Sequence, residues 1–412
     1  MVLQWIPKNV ESWLDLSFAH MSKVVTGIDV GTYHVKVVIA QLADDPRMPP
    51  QILGTGYAES RGVKHGYIVS APEVSRSIAA ALTQASRAAR VRPKRAYLGA
   101  GGVGIDEAFS RGEVVVERGD SQITDRDLPR AHKAAEAALP PQALLNRKIL
   151  HTIPLRYFVD GVRVLGGNPV GMKGTRIAVE ALFITALARH VESLVEAVES
   201  AGLEVEDVVA APIAASFIAL SKMQKRVGCV LANIGAETLS VVVFEDSIPI
   251  SIRIFPMGSA DITNDLALGL RISPEEAEQL KQGAVLGAPY PKRKVDDIVS
   301  KRVSDMFKLV ESHLKKIGKS ELLPAGVILT GGGSAVQTAA DLAKAVLKLP
   351  SRPANLEGSA GAKWQLRDSS WAVAYGLTIW GLSEGGEFEP NEHHSMGDFF
   401  KNIWRWFKKF LP

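Results

Sequence analysis

The sequence predicts an α/β protein made of two lobes built alike around a cleft, and three observations predict it. The stretch "VTGIDVGTYHVKVVIA" (25–40) aligns in register with "CVLANIGAETLSVVVF" (229–244): Asp29 falls over Asn233, Gly31 over Gly235, Val35 over Leu239, and three β-branched residues over three. Each copy reads as a strand, a tight glycine turn and a second strand, a hairpin whose turn can present several backbone N–H groups to an anion. A third glycine turn, "VILTGGGS" (327–334), follows another apolar strand and is expected to open a helix, which would add a positive helix end to those donors.

Element by element, residues 1–20 are not a signal peptide, because Glu11 and Asp15 interrupt them and no apolar core with a small-residue cleavage site is present. Leu3, Ile6, Val10, Trp13 and Leu14 recur at helical spacing, which leaves two readings: an amphipathic leader, or a natural start at Met21. From Lys23 the pattern becomes β-branched runs broken at the Gly31–Thr32 turn. Glu73 to Arg90 has apolar residues three and four apart, as a helix requires. A β-rich and turn-rich segment covers about 105–184, and the helix "HVESLVEAVESAG" follows, closed by Gly202. Alternating strands and helices continue to Leu382, where "SEGGEFEPNEHHS" (383–395) breaks all apolar periodicity and reads as a linker.

Composition narrows the function classes. A chain of 412 residues, 46% apolar and 22% charged, is long enough for two or three cored domains. A dispersed net charge of +4 argues against nucleic acid, whose backbone demands a concentrated basic face. The single cysteine, Cys229, excludes an internal disulfide and a multi-cysteine metal site; it reads as a small apolar filler beside Val230. No run of about 18 uncharged apolar residues occurs, so no spanning helix is expected.

One glycine hairpin is weak evidence for a ligand, since hairpins need glycine for their turns anyway. Two in register with a downstream GGG turn form a stronger signal: two turns facing each other can clamp a triphosphate, with Asp29 orienting Mg²⁺ through water and Lys36 reaching a phosphate oxygen. The pattern D-x-G-[ST]-x-x-x-K at Asp29, Gly31, Thr32 and Lys36, the second hairpin and the GGG turn resemble the phosphate and adenosine loops of the actin, Hsp70 and sugar-kinase superfamily. Within it the chain resembles the FtsA family of bacterial cell-division proteins, through "RKILHTIPLRYFVDG" with "NPVGMKGTRI", "VEAVESAGLEVEDVVAAPIAAS" and "ISPEEAEQLKQG". The resemblance covers about 23–382 and the tail.

That resemblance implies an actin-like fold with an inserted subdomain and a C-terminal amphipathic helix. Its implied layout is an extension (1–22), subdomain 1A (23–102, 184–213 and 358–382), an inserted subdomain 1C (103–183), 2A (214–262 and 322–357), 2B (263–321), a linker (383–395) and a membrane-binding helix (396–412). It implies ATP and Mg²⁺ as cofactors. Gly31, Thr32 and Tyr33 form the first phosphate loop, Gly235 and Ala236 the second, and Gly331, Gly332 and Gly333 the adenosine loop. Glu278 and Lys281 bracket ribose and adenine, where the plain alternative is a solvated helix face. Arg302 on "VSKRVSDMFKLVESHLKK" falls where the family meets the acidic C-terminal peptide of the tubulin-like protein FtsZ; its plain alternative is a solvated charge.

The second loop departs from the usual D-x-G-G-G-T-x-D. Asn233 and Ser240 replace both end carboxylates and Glu237 introduces one in the middle. An asparagine offers a metal only a neutral carbonyl oxygen, so nucleotide binding with weak or absent hydrolysis is expected, and no catalytic residue is assigned. Two other matches are discounted. Gly99, Gly101 and Gly104 fit G-x-G-x-x-G, yet too few residues follow for a crossover helix. His393 and His394 lack a fixed surrounding shell for a metal.

The tail "DFFKNIWRWFKKFLP" sets four phenylalanines and two tryptophans among four basic residues. On a helical projection Met396, Phe399, Phe400, Ile403, Phe407, Phe410 and Leu411 share one side, with Lys401, Asn402, Arg405, Lys408 and Lys409 opposite and Trp404 and Trp406 at the borders. That layout suits a helix lying flat in anionic headgroups, and its four cations would contribute up to about 4 kcal/mol there. The alternative occupant of the apolar stripe is a protein groove. Taken together, the resemblance implies a polymerising protein on the cytoplasmic face of the membrane at the division site. It would bind FtsZ, further copies of itself and later division proteins, with no nucleic acid partner. The rivals are an actin-like pilus-assembly protein and, disfavoured by Asn233 and Ser240, a sugar-kinase or chaperone-type ATPase.

Overall fold

The computed structural model describes residues 24–42, 50–117, 119–165, 167–283, 290–356 and 368–383. The extension 1–22, His393, His394, most of the linker and the whole amphipathic tail therefore lie outside the described residues.

The duplication seen in sixteen residues extends to two whole sheets. The first lobe orders its strands Gln51–Glu59, His34–Gln41, Val24–Val30, Arg95–Ala100 and Glu204–Ala210. The second lobe orders Ile248–Phe255, Leu239–Glu245, Cys229–Ile234, Val327–Thr330 and Ser351–Pro353. In both, three strands pair antiparallel and the last two join in parallel. The inner strands are covered on both faces, which is why "VKVVIA" and "SVVVF" are apolar runs rather than alternating ones.

Helices seal each sheet. Ala71–Ala89 buries Val74, Ile78, Ala81 and Ala85 at helical spacing, and its C-cap Arg90 takes the left-handed conformation that ends it. Ala188–Ser200 ends as expected at Gly202, whose N–H is donated to the Glu199 carbonyl. The final helix, Ala372–Ser383, is apolar all round because it is packed between the first lobe's sheet and helix Ala211–Ala219. A side chain at Gly376 would stand 1.8 Å from the Ala214 carbonyl oxygen. Since backbone blocks it, Gly376→Val should cost more than about 3 kcal/mol in urea melts, whereas an exposed glycine such as Gly119, with open space and no positive φ, should tolerate alanine far better.

Between Ala100 and Ala188 a separate unit is inserted. Its antiparallel sheet orders Asp106–Val115, Arg176–Leu187, Arg147–Val159 and Val162–Arg163, with helix Asp127–Ala137 on one face over Tyr157, Ile177, Val179 and Phe183. This unit docks on the second lobe through polar groups. Glu107 accepts from the Ser251 hydroxyl (2.8 Å) and the Ile252 N–H (2.7 Å), and Ser251 also meets His313 Nε2 at 2.9 Å. Three helices fill the outer part of the second lobe: Ser259–Leu270, Pro274–Lys281 and the amphipathic Lys292–Lys316, which buries Val303, Met306, Phe307, Val310 and Leu314.

Candidate functional site

Three glycine turns converge where the lobes meet. In the first, the Gly31 N–H is donated to the His34 carbonyl (3.2 Å), closing the turn that carries Thr32 and the exposed Tyr33. Asp29, one residue before the strand ends, lies across the ladder from Lys36. Burial pushes the Asp29 carboxyl above the ordinary carboxylate range, and the Lys36 ammonium opposes that rise. The Lys36 ammonium is donated to the Ser370 carbonyl (2.9 Å), so the expected phosphate ligand is tied to the crossing segment 368–371.

In the second turn the Gly235 N–H is donated to the Thr238 carbonyl (2.8 Å). Its outward carbonyls are taken by a helix start: Ser259 N–H to Gly235 (2.9 Å) and Ala260 N–H to Ala236 (2.7 Å). The positive end of Ser259–Leu270 thus backs this turn, satisfying two of the N–H groups every helix leaves open. The third turn differs from expectation. "GGGS" opens a short 3-10 turn, Gly332–Ala335, and the α-helix starts only at Ala339, because Ser334 bonds back to the Gly331 carbonyl through both its N–H and its hydroxyl. Gly331 has φ +84°, and a side chain there would meet Asn233 Oδ1 at 2.2 Å and the Ile234 carbonyl at 2.5 Å. Asn233 accordingly faces the third turn, and Gly332 faces open space.

Segment 368–371 stitches the lobes together. Besides receiving Lys36, it accepts from Thr330 Oγ1 through the Ser369 carbonyl (2.8 Å). Glu278 and Lys281 complete the set and are not a solvated face. They pair at 2.7 Å; Lys281 also reaches Thr263 Oγ1 (2.9 Å) and the Ser259 carbonyl (3.2 Å), and Thr263 donates to Glu278 (2.6 Å). Burial pushes the Glu278 carboxyl up, but hydrogen bonds from Lys281, Thr263 and Gln282 outweigh it and hold the group below its ordinary value.

Arg302 stands apart from this cluster. Its guanidinium forks onto Asp265 (2.7 and 2.8 Å), a half-buried bidentate pair rather than a free solvated charge. Asp265 and Thr263 went unassigned in the sequence, and so did His65, whose N–H is donated to Glu237 across the lobes. A glycine-serine step before the helix, Gly258–Ser259, was the available signal for the helix start behind the second turn. The discounted fingerprint also finds its place. The loop after Arg95–Ala100 occupies in the first sheet the position that Gly331–Gly333 occupies in the second. The chain runs from it straight into strand Asp106–Val115, with no crossover helix. Among the described residues no cluster of three or more metal-ligating side chains occurs, and no helix is long and apolar enough to cross a membrane.

Known proteins match this arrangement. Residues 230–376 match the family "Cell division protein FtsA", and residues 105–185 match the "SHS2 domain inserted in FTSA". The cell division protein FtsA of Bacillus subtilis is 31% identical over 348 residues, covering 79% of this chain and 77% of the relative. That of Pseudomonas aeruginosa is 27% identical over 386 residues, covering 88% and 90%. Among solved structures, the PilM–PilN type IV pilus biogenesis complex superposes with a TM-score of 0.64 at 18% identity, covering 89% of this chain and 99% of that one. MreB5 of Spiroplasma citri bound to ADP superposes with a TM-score of 0.51 at 11% identity, covering 87% and 96%, a likeness of fold alone. Paired five-stranded sheets, an insertion after strand Arg95–Ala100 and a relative at 31% identity lead to one conclusion: the chain belongs to the FtsA family of actin-like cell-division proteins.

Proposed function

We propose that this cell-division protein binds ATP with Mg²⁺ between its lobes, polymerises, and tethers FtsZ filaments to the cytoplasmic face of the membrane at the division site, where it helps recruit later division proteins. Support for the nucleotide comes from the donor set. With the Gly31 and Gly235 N–H groups closing their own turns, Thr32, Tyr33 and Ala236 are the positions left to offer N–H groups, Gly332 faces open space where adenosine would lie, and among the described residues the Asp29 carboxyl accepts no hydrogen bond. Asp29 would hold the ion through water; the ion, when bound, neutralises phosphate charge. Asn233, turned to Gly331, adds no second charge for a metal, which supports weak or absent hydrolysis.

The observation that carries the tethering role is the sequence of residues 399–411, where Phe399, Phe400, Ile403, Trp404, Arg405, Trp406, Phe407, Lys408, Lys409, Phe410 and Leu411 separate into an apolar and a basic side on a helical projection. A polymer presents many such weak anchors at once, so each one can be modest. Full-length protein should sediment with vesicles containing anionic lipid and carry FtsZ filaments with it. Deletion from Phe399, or Trp404→Glu, should abolish both. Equal sedimentation of the truncated chain would refute the tether. Recruitment of filaments that does not depend on ATP would leave the tether standing and remove the nucleotide from it.

A further inference from the structure

The second turn carries a carboxylate that reaches across to the other lobe. Glu237 Oε2 accepts the His65 N–H at 2.5 Å, and the His65 ring Nδ1 lies 3.4 Å from the Glu237 carbonyl and 3.8 Å from its carboxylate. Both ends of this bridge are held firmly. His65 sits at the tip of the short hairpin Val63–Lys64 and Tyr67–Ile68, with φ +49°, and the adjoining Gly66 rests directly on the backbone of Gly102. Behind Glu237, the Gly235 and Ala236 carbonyls are pinned by Ser259 and Ala260.

The position of the bridge along the cleft gives it a consequence. Gly331 and Gly333 lie against Asn233 and Ile234, at the strand end of the second turn, whereas Glu237 stands at its tip, against the first lobe. A nucleotide with its base at Gly331–Gly333 would run its phosphates past Gly235 and Ala236 toward Glu237. Its last phosphate would then meet a partly buried carboxylate, and like charges repel.

We propose that Glu237 is the residue by which this cleft distinguishes a nucleoside triphosphate from a diphosphate. The Glu237–His65 bridge stays closed over the diphosphate and is displaced by the third phosphate, which converts nucleotide state into a loosened contact between the lobes. This rests on the nucleotide reading above.

The test is calorimetric titration of the full chain with Mg·ADP and Mg·ATP, together with hydrogen exchange of segment 61–70. Wild type should bind ATP at least about tenfold more weakly than ADP, and both Glu237→Gln and Glu237→Gly should narrow that gap to within about threefold. The glutamine keeps an acceptor for the His65 N–H and loses only charge; the glycine loses both. Segment 61–70 should therefore exchange slowly with ADP and fast with ATP in wild type, and fast in every state of Glu237→Gly. Equal affinities in wild type, an unchanged ratio in both variants, or the same exchange with ADP and ATP overturns the proposal. Binding of neither nucleotide by wild type overturns the nucleotide reading itself, and this inference falls with it.

Discussion

Between pH 7 and pH 4.5 the folded chain should lose up to about 7 kcal/mol of stability, a large part of what a domain ordinarily has. Three buried histidines set this slope. Burial holds His132, His151 and His313 down to about 4 from 6.5, with Arg253 and Lys316 adding to the effect at His313. For His151 the geometry states the reason. Its Nε2 accepts the Ala210 N–H at 2.9 Å, so protonation would set a donor against a donor. A histidine depressed in this way binds a proton in the unfolded chain before it does so in the folded one. Its cost starts as pH falls through 6.5, grows down to about 4, and levels off below, about 3 kcal/mol for each residue. Asp29, Glu107 and Asp207, raised by burial, act with the opposite sign and return part of the loss. Buried Lys225, lowered to about 7, extends the same upward slope of stability toward alkaline pH. Urea melts at pH 7, 6 and 5 measure the slope. His151→Gln, whose amide oxygen can still accept from Ala210, should remove about one third of it at little cost at pH 7. A flat profile in wild type, or an unchanged slope in the variant, would exclude buried histidines as the cause.

The paired hairpins were legible in the sequence because a strand buried on both faces leaves an unbroken β-branched run, and because two copies in one chain can be compared with each other. The rest of each sheet was not. Arg95–Ala100 and Glu204–Ala210 are separated by the inserted unit, and Ser351–Pro353 is too short to carry a period of its own. The partners that decide the chemistry were equally hidden. Glu237 meets a residue 172 positions away, Lys36 one 334 positions away, and Arg302 one 37 positions away. Local spacing reports which side of an element is apolar; it carries no information on which distant charge that element will face. The 3-10 turn after Gly331 shows the same limit on a smaller scale, since it depends on Ser334 folding its hydroxyl back rather than extending into a helix.

Arg302→Glu should lower the affinity for a synthetic acidic peptide carrying the FtsZ C-terminal sequence by at least about a hundredfold, and should destabilise the second lobe as well. Both effects arise from one ion pair. Asp265 already occupies the guanidinium through two hydrogen bonds of 2.7 and 2.8 Å, each partner half-buried. A glutamate opposite Asp265 replaces attraction by repulsion at a partly solvated site, a cost of about 1 kcal/mol. Loss of binding could then follow from a disturbed fold alone, and the exchange Arg302→Glu with Asp265→Arg separates the two causes. Restoring the opposite pair should recover most of the melting temperature, because the fork between helices Ser259–Leu270 and Lys292–Lys316 is rebuilt in reverse. Peptide binding should recover only if a cation anywhere on this face suffices, and it should stay lost if the peptide requires the guanidinium at position 302 itself. Asp265→Asn supplies the converse: it frees Arg302 without altering shape, so a peptide carboxylate no longer competes with an internal one and binding should tighten about fivefold. Unchanged affinity in both Arg302→Glu and Asp265→Asn would move the peptide site off this helix pair altogether.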